Sequence, residues 1–228
     1  LDAADSSTLF DATTGGSTPT NNGTVARWED KSGNANHATQ GTANERPLRI
    51  TNDTNGNDVV LFDGNNDRFL LANGAGLSLL GSVTTFTVIK RTQTGKNNIV
   101  LASGTGLDPY SPLWFTNDTI NYLTNFNTNN FIKSNAFVET GVFLLEGLNH
   151  RSETSNPSKI IKDGNVVISG DTGTVDKKYN FVGFRNRNPG EYMKGEICEI
   201  VHYNRELTTQ EILDVRKYLA NKWGITLN

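Results

Sequence analysis

The chain has 228 residues, 35% of them hydrophobic, and its 21 Lys and Arg against 24 Asp and Glu leave a net charge of −3. With no basic run anywhere, nucleic acid and anionic membrane surfaces are poor partners, and no apolar stretch approaches the length of a membrane-spanning helix. The apolar residues are too patterned for disorder, and no linker, repeat or composition shift divides the chain, so residues 1–228 are read as a single domain.

The predicted elements are mostly short strands. Leu1-Asp2-Ala3-Ala4-Asp5 opens as if within a strand, which is read as a domain cut from a larger protein. Gly15-Gly16-Ser17-Thr18-Pro19 and Asn21-Asn22-Gly23 are loop signals. Val25-Ala26-Arg27-Trp28 reads as a short strand, followed by the loop Asp30-Lys31-Ser32-Gly33-Asn34. Val59-Val60-Leu61-Phe62 is a buried strand that Asp63-Gly64-Asn65-Asn66 turns into Phe69-Leu70-Leu71. Strands are expected over residues 84–89, 99–102, 113–115, 120–123 and 141–145. Residues 159–162 and 166–168 flank Asp163-Gly164-Asn165, a tight hairpin signal because Asp-Gly accepts positive φ.

Residues 181–184 and 196–203 are the last strands. In the longer one, Ile197, Glu199, Val201 and Tyr203 alternate with Glu196, Cys198, Ile200 and His202, so the two sets are expected on opposite faces. Thr208 stands three residues before Glu211, the spacing of a capping box. Ile212, Val215 and Leu219 recur at helical spacing and Gly224 supplies a stop, which predicts one helix over residues 209–222. About a dozen strands and a single helix predict an all-β, two-sheet antiparallel sandwich. Cys198 is the one cysteine, so no intrachain disulfide or zinc knuckle is available, and it is read as a buried thiol.

Several segments in order carry a family resemblance. They are Leu1-Asp2-Ala3-Ala4-Asp5, Trp28-Glu29-Asp30-Lys31-Ser32-Gly33-Asn34 with His37-Ala38-Thr39-Gln40, Val60-Leu61-Phe62-Asp63-Gly64, Lys162-Asp163-Gly164, Tyr203-Asn204-Arg205-Glu206-Leu207 and Tyr218-Leu219-Ala220-Asn221-Lys222-Trp223-Gly224. The chain resembles the concanavalin A-like lectin/glucanase superfamily, and within it the laminin-G-like domains of bacterial surface proteins and phage tail or fibre proteins. The resemblance implies a jelly-roll sandwich in an extracellular, cell-surface or virion protein. It implies a non-catalytic carbohydrate-binding or adhesion module as function. The alternatives are a structural or protein-binding module of a fibre, whose partners are other chains, and a glycan hydrolase or lyase on the same fold.

Jelly-roll glycosidases of this superfamily carry carboxylates on alternate positions of one strand, because a retaining mechanism needs acid and nucleophile close together on one face. Glu196 and Glu199 are three apart and are expected on opposite faces, while Glu146 stands alone, so no catalytic residue is assigned. For a lyase, His150-Arg151 and Tyr192 are the residues that could contribute a base and its partner, and no nucleophile elbow or phosphate loop occurs. The superfamily often holds one calcium ion at the rim. The candidate ligands are Asp30 and Asn34, with Asp2 or Asp5 and Glu199 completing the shell, the alternative being an Asx turn that bonds its own loop. His37 is expected to brace that loop and His202 to be structural. For a glycan or polysaccharide ligand the candidates are Tyr110 in a two-proline loop, Trp114, Asn117, Tyr122 and Asn125 on the next hairpin, and Arg185, Asn186 and Arg187 in a polar loop. Trp114 also fits a core position, and Trp28 and Trp223 are assigned to core packing.

Overall fold

The computed structural model describes residues 1–71, 77–78, 81–94, 98–102, 113–116, 119–125, 130–136, 140–150, 157–170, 178–186 and 190–228, with the backbone alone described for 77–78, 113–116, 119–125, 130–136 and 178. In chain order the strands are β1 (Leu9–Phe10), β2 (Arg27–Trp28), β3 (Ala38–Thr39), β4 (Leu48–Thr54), β5 (Asn57–Asp63), β6 (Phe69–Leu71), β7 (Leu77–Ser78), β8 (Val83–Arg91), β9 (Asn98–Ala102) and β10 (Leu113–Thr116). They continue as β11 (Thr119–Asn125), β12 (Asn130–Ala136), β13 (Gly141–Asn149), β14 (Ser158–Lys162), β15 (Asn165–Gly170), β16 (Lys178–Tyr179), β17 (Phe181–Val182), β18 (Phe184–Arg185), β19 (Glu191–Tyr192) and β20 (Lys194–Tyr203). One helix, α1 (Thr209–Trp223), follows.

Two large antiparallel sheets form an all-β sandwich. One runs β1-β2-β3-β6-β17-β9-β10-β11-β12 and the other β15-β14-β13-β8-β20-β5-β4. Apolar side chains from both sheets meet between them. Trp28, Phe69, Leu71, Leu101 and Val182 of the first pack with Val60, Phe62, Ile89, Leu145 and Ile197 of the second. Burying a core of this kind is the main stabilising term of the fold. The Asp163-Gly164 hairpin forms as expected, with φ of 49° and 96° at its two central residues, and it joins β14 to β15.

The outer face of the seven-stranded sheet is covered by α1. Thr208 closes the capping box with Glu211, and Gly224 ends the helix at φ 69°. Leu219 and Trp223 pack onto Val59, Phe86, Val88, Leu144 and Cys198, so both faces of this sheet are apolar in its centre. Trp223 is therefore buried beneath the helix, whereas Trp28 lies between the sheets.

The phase of β20 differs from strict alternation. Its register against β8 shifts between Ile197 and Glu199, which makes Cys198 the extra residue of a β-bulge. Before the bulge Glu196 faces Lys90, and after it Glu199 faces Val88, both on the helix side. Glu196, Cys198, Glu199, Val201 and Tyr203 thus share the outer face, and Ile197, Ile200 and His202 turn inward. Glu196 and Glu199 do not project to opposite faces, because a period of two holds only while every residue is paired.

Beyond Ile197, β5 no longer accompanies β20. Residues 1–3 take its place: the Leu1 amine donates to the Ile200 carbonyl at 2.9 Å, Ile200 N–H donates to Leu1 at 2.8 Å and Ala3 N–H to Cys198 at 3.0 Å. That substitution brings the first residues of the chain beside the end of β20 and the face of α1.

Candidate functional site

Where the paired edge of β20 runs out, a cleft of about 660 Å³ opens at the rim of the sandwich. One wall is the loop 30–36, the floor is the end of β20 from Ile200 to Asn204, and Tyr218 of α1 closes the opposite side. Its size falls within the range of ligand-binding pockets.

The loop wall holds itself. Asp30 accepts hydrogen bonds from Ser32 N–H at 2.8 Å, Ser32 Oγ at 2.7 Å and Asn36 N–H at 3.0 Å, while its own N–H donates to His37 Nδ1 at 3.0 Å. Partial burial pushes the Asp30 carboxyl up, but the bonds from Ser32 and Asn36 outweigh it and hold the group below the ordinary value. Asn34 donates to Ser32 Oγ at 3.0 Å. This is the Asx-turn arrangement, with His37 as its brace.

On the floor, His202 points inward, bonded through Nδ1 to Thr85 Oγ1 at 2.9 Å and edge-on to Tyr179 with ring centres 5.5 Å apart. Burial pushes its pKa down to about 4, so the imidazole is neutral at pH 7. The Ile200 main chain pairs with Leu1, and antiparallel alternation directs the His202 N–H and C=O to the same side, where no described residue pairs with them. Tyr203 is half-buried, edge-on to Phe86, with the Arg205 guanidinium 5.9 Å from its ring centre. Tyr218 is 49% exposed. The cleft therefore offers two aromatic rings, the side chains of Asn34, Asn36 and Asn204, and an open stretch of strand edge.

Behind this surface lies a tight ionic cluster. Lys222 Nζ donates to Asp2 at 2.6 Å, Glu199 at 2.8 Å and the Tyr218 hydroxyl at 3.1 Å. Trp223 Nε1 donates to Glu199 at 2.8 Å and the Tyr218 hydroxyl to the other Glu199 oxygen at 3.2 Å. Lys31 reaches Asp5 at 2.7 Å and Asp2 at 3.4 Å. Burial lowers the Lys222 pKa, yet the bonds to Asp2, Glu199 and Tyr218 prevail and raise it above the usual lysine value. The bond from Lys31 depresses the Asp5 carboxyl to about 2.

The four candidate calcium ligands do not form one oxygen shell. Asp30 and Asn34 are spent within their own loop, while ammonium groups sit on Asp5 and Glu199, where a cation would sit. Among the described residues no group of three or more His, Cys, Asp or Glu is arranged to hold a metal ion. The donor set in this arrangement does not suit calcium, which wants six to eight oxygens free to turn towards it.

The ligand candidates that the structure describes lie on β10, on β11 and at the β18–β19 hairpin, and none of them lines this cleft. Arg185 is 4% exposed and ion-paired with Glu191 across the β18–β19 hairpin at 2.7 Å, so its guanidinium is turned into the protein, beside a half-buried Asn186. Trp114 lies on β10, and Tyr122 and Asn125 on β11. Tyr110, Asn117 and Arg187 lie outside the described residues. Glu146, alone in the sequence, is fully buried and forms a two-pronged bond with Arg216 of α1 at 2.6 and 2.8 Å. Tyr203 and Tyr218 were not anticipated. Tyr218 and Lys222 stand four apart, off the apolar stripe of the helix, which is the one local signal that they act together.

No protein-family model and no curated protein matches the chain. Solved structures do. Trypanosoma rangeli sialidase in complex with sialic acid aligns with a TM-score of 0.61 at 14% identity, over 94% of this chain and 32% of that one. A botulinum neurotoxin type C structure, described by the dependence of cell entry on two ganglioside molecules, aligns at 0.51 and 11% identity, over 86% and 51% of the two chains. The binding domain of botulinum neurotoxin DC in complex with rat synaptotagmin II aligns at 0.55 and 10% identity, over 96% and 54%. This chain thus spans about a third of the sialidase and about half of the toxin chains. At such identities the likeness is one of fold, an all-β sandwich.

Proposed function

We propose that this chain is a non-catalytic carbohydrate-binding module of the concanavalin A-like, laminin-G-like kind, belonging to a larger extracellular, cell-surface or virion protein, and that it holds its glycan in the rim cleft. The observation that carries the reading is the composition of that cleft: Tyr203 and Tyr218 line it together with Asn34, Asn36 and Asn204. An aromatic ring covers the apolar face of a pyranose while amides and backbone groups read its hydroxyls. The glycan ligands named for the sialidase and the type C neurotoxin agree with this use of the fold.

The absence of a catalytic role is supported by Glu199. Both of its oxygens are engaged, by Tyr218 on one side and by Lys222 and Trp223 on the other, so it has no geometry for general acid or nucleophile work. Glu196, pushed up to about 7 chiefly by burial, is held by Lys90 at 3.1 Å and does not line the cleft. One observation favours a second reading, a protein-binding module: edge strand β15 exposes Val166 and Val167 at 57% and 36%.

The test is retention on a panel of immobilised glycans, with the domain displayed multivalently so that weak contacts add. Tyr218→Ala should abolish retention and Tyr218→Phe should keep most of it. Retention of the Ala variant at wild-type strength would remove the cleft from the site. A blank from the folded wild-type domain would favour the protein-binding reading.

A further inference from the structure

We infer that the rim cleft selects neutral and amine-bearing sugars against sugars carrying a carboxylate or sulfate, an inference that rests on the carbohydrate-binding reading above. The charges around the cleft decide this. Asp2, Asp30 and Glu199 line it, and Asp5 stands directly behind Lys31. Against these four carboxylates stand two ammonium side chains, Lys31 and Lys222, and the amine of Leu1, so the balance is negative.

The cations are also committed. Lys31 is shared between Asp5 and Asp2, and Lys222 between Asp2 and Glu199. The Leu1 amine is held by the Ile200 carbonyl. An incoming carboxylate could recruit Lys222 only by stripping it from Asp2 and Glu199, which are 8% and 5% exposed, and Lys31 only in competition with Asp5, which already holds it at 2.7 Å. The guanidinium of Arg205, next to Asn204, is bound at both ends of its fork to Glu211, at 2.6 and 3.0 Å. His202 is neutral at pH 7 because it is buried.

Beside the amides, the described lining presents carboxylate and carbonyl acceptors. A carboxylate offers about four lone-pair directions, of which the Asp30 loop uses three, and the His202 carbonyl faces the opening. Sugar hydroxyls and ammonium groups donate to such atoms, whereas a second anion is repelled.

The experiment uses matched probes on the multivalently displayed domain at low and moderate ionic strength. Lactose is set against sialyllactose, and N-acetylglucosamine oligomers against their deacetylated, amine-bearing forms. Retention of the neutral or amine-bearing member should exceed that of the anionic one by at least about tenfold at low salt, and the gap should narrow as salt is added. Asn204→Lys, a change at an exposed rim position, should narrow it too. Preference for sialyllactose over lactose would overturn the inference and leave the carbohydrate-binding reading standing. A blank with every probe from a folded domain would overturn that reading and this inference with it.

Discussion

Lys222 offers the sharpest test of how the rim is held together. Its ammonium group bridges Asp2, which lies in the opening segment of the chain beside β20, and Glu199 of β20, and the two are 8% and 5% exposed. Lys222→Met keeps the packed stem but deletes the charge, leaving two buried carboxylates facing each other. Removing one partner of a buried ion pair costs about 3–5 kcal/mol. Here the lower end applies, because Glu199 keeps its bonds from Trp223 and Tyr218, and Asp2 keeps Ala4 N–H and a distant Lys31. About 3 kcal/mol in a domain of this length lowers the Tm by roughly 6–12 °C. The Lys222 pKa is held above its ordinary value, so its stabilisation is fully present below that value and is lost only as pH rises through the raised one; a melt at pH 7 captures all of it. Circular dichroism melts of Lys222→Met, Glu199→Gln and the double variant complete a double-mutant cycle, and the pair should be coupled by 1 kcal/mol or more, on the order of direct contacts. A fall below about 2 °C, or additive single effects, would refute the idea that this lysine holds the rim.

The remaining expectations concern metal and protons. Because ammonium groups already sit on Asp5, Asp2 and Glu199, melts in EDTA and in millimolar calcium should coincide to within about 1 °C, and a calcium-dependent rise of several degrees would show a cation site after all. Glu196 is raised from 4.5 to about 7 by burial, so the folded state binds the extra proton and stability falls as pH rises through that window. His202 is lowered from 6.5 to about 4, so the unfolded state binds the extra proton and stability rises between about 4 and 6.5. The two oppose each other. Urea titrations from pH 4.5 to 6.5 should show a steeper rise with pH for Glu196→Gln than for the wild type, and an unchanged slope would place Glu196 in water.

The sandwich, the capped helix and the Asp163-Gly164 hairpin were legible because each has a local signature: periodicity, a capping pair, a dipeptide suited to positive φ. Strands β4 and β12 were missed because their Asn, Asp and Lys content reads as loop. The face assignment along β20 failed at one residue. Cys198 and Glu199 each suit an alternating strand, and nothing in the local sequence marks the bulge that puts both on the outer face. The candidate metal ligands Asp5, Asp30, Asn34 and Glu199 stand near one rim of the sandwich, with Asp5 and Glu199 on ammonium groups and Asp30 and Asn34 bonded within their own loop. Lys222 lies 220 residues from Asp2, and no local pattern announces that its side chain closes the gap. Arg185 looked like a presented fork because the Asn188-Pro189-Gly190 turn signal does not say that Glu191 returns across it to pair with the guanidinium.

The central claim is that a glycan sits between the 30–36 loop, the end of β20 and Tyr218. Backbone amide spectra of the isotope-labelled domain, titrated with a retained oligosaccharide, test it most directly. Shifts concentrated at Asn34, Asn36, His202, Asn204 and Tyr218 are the expected result. Shifts concentrated on the β18–β19 hairpin or the β10–β11 strands, with the rim unmoved, would contradict it.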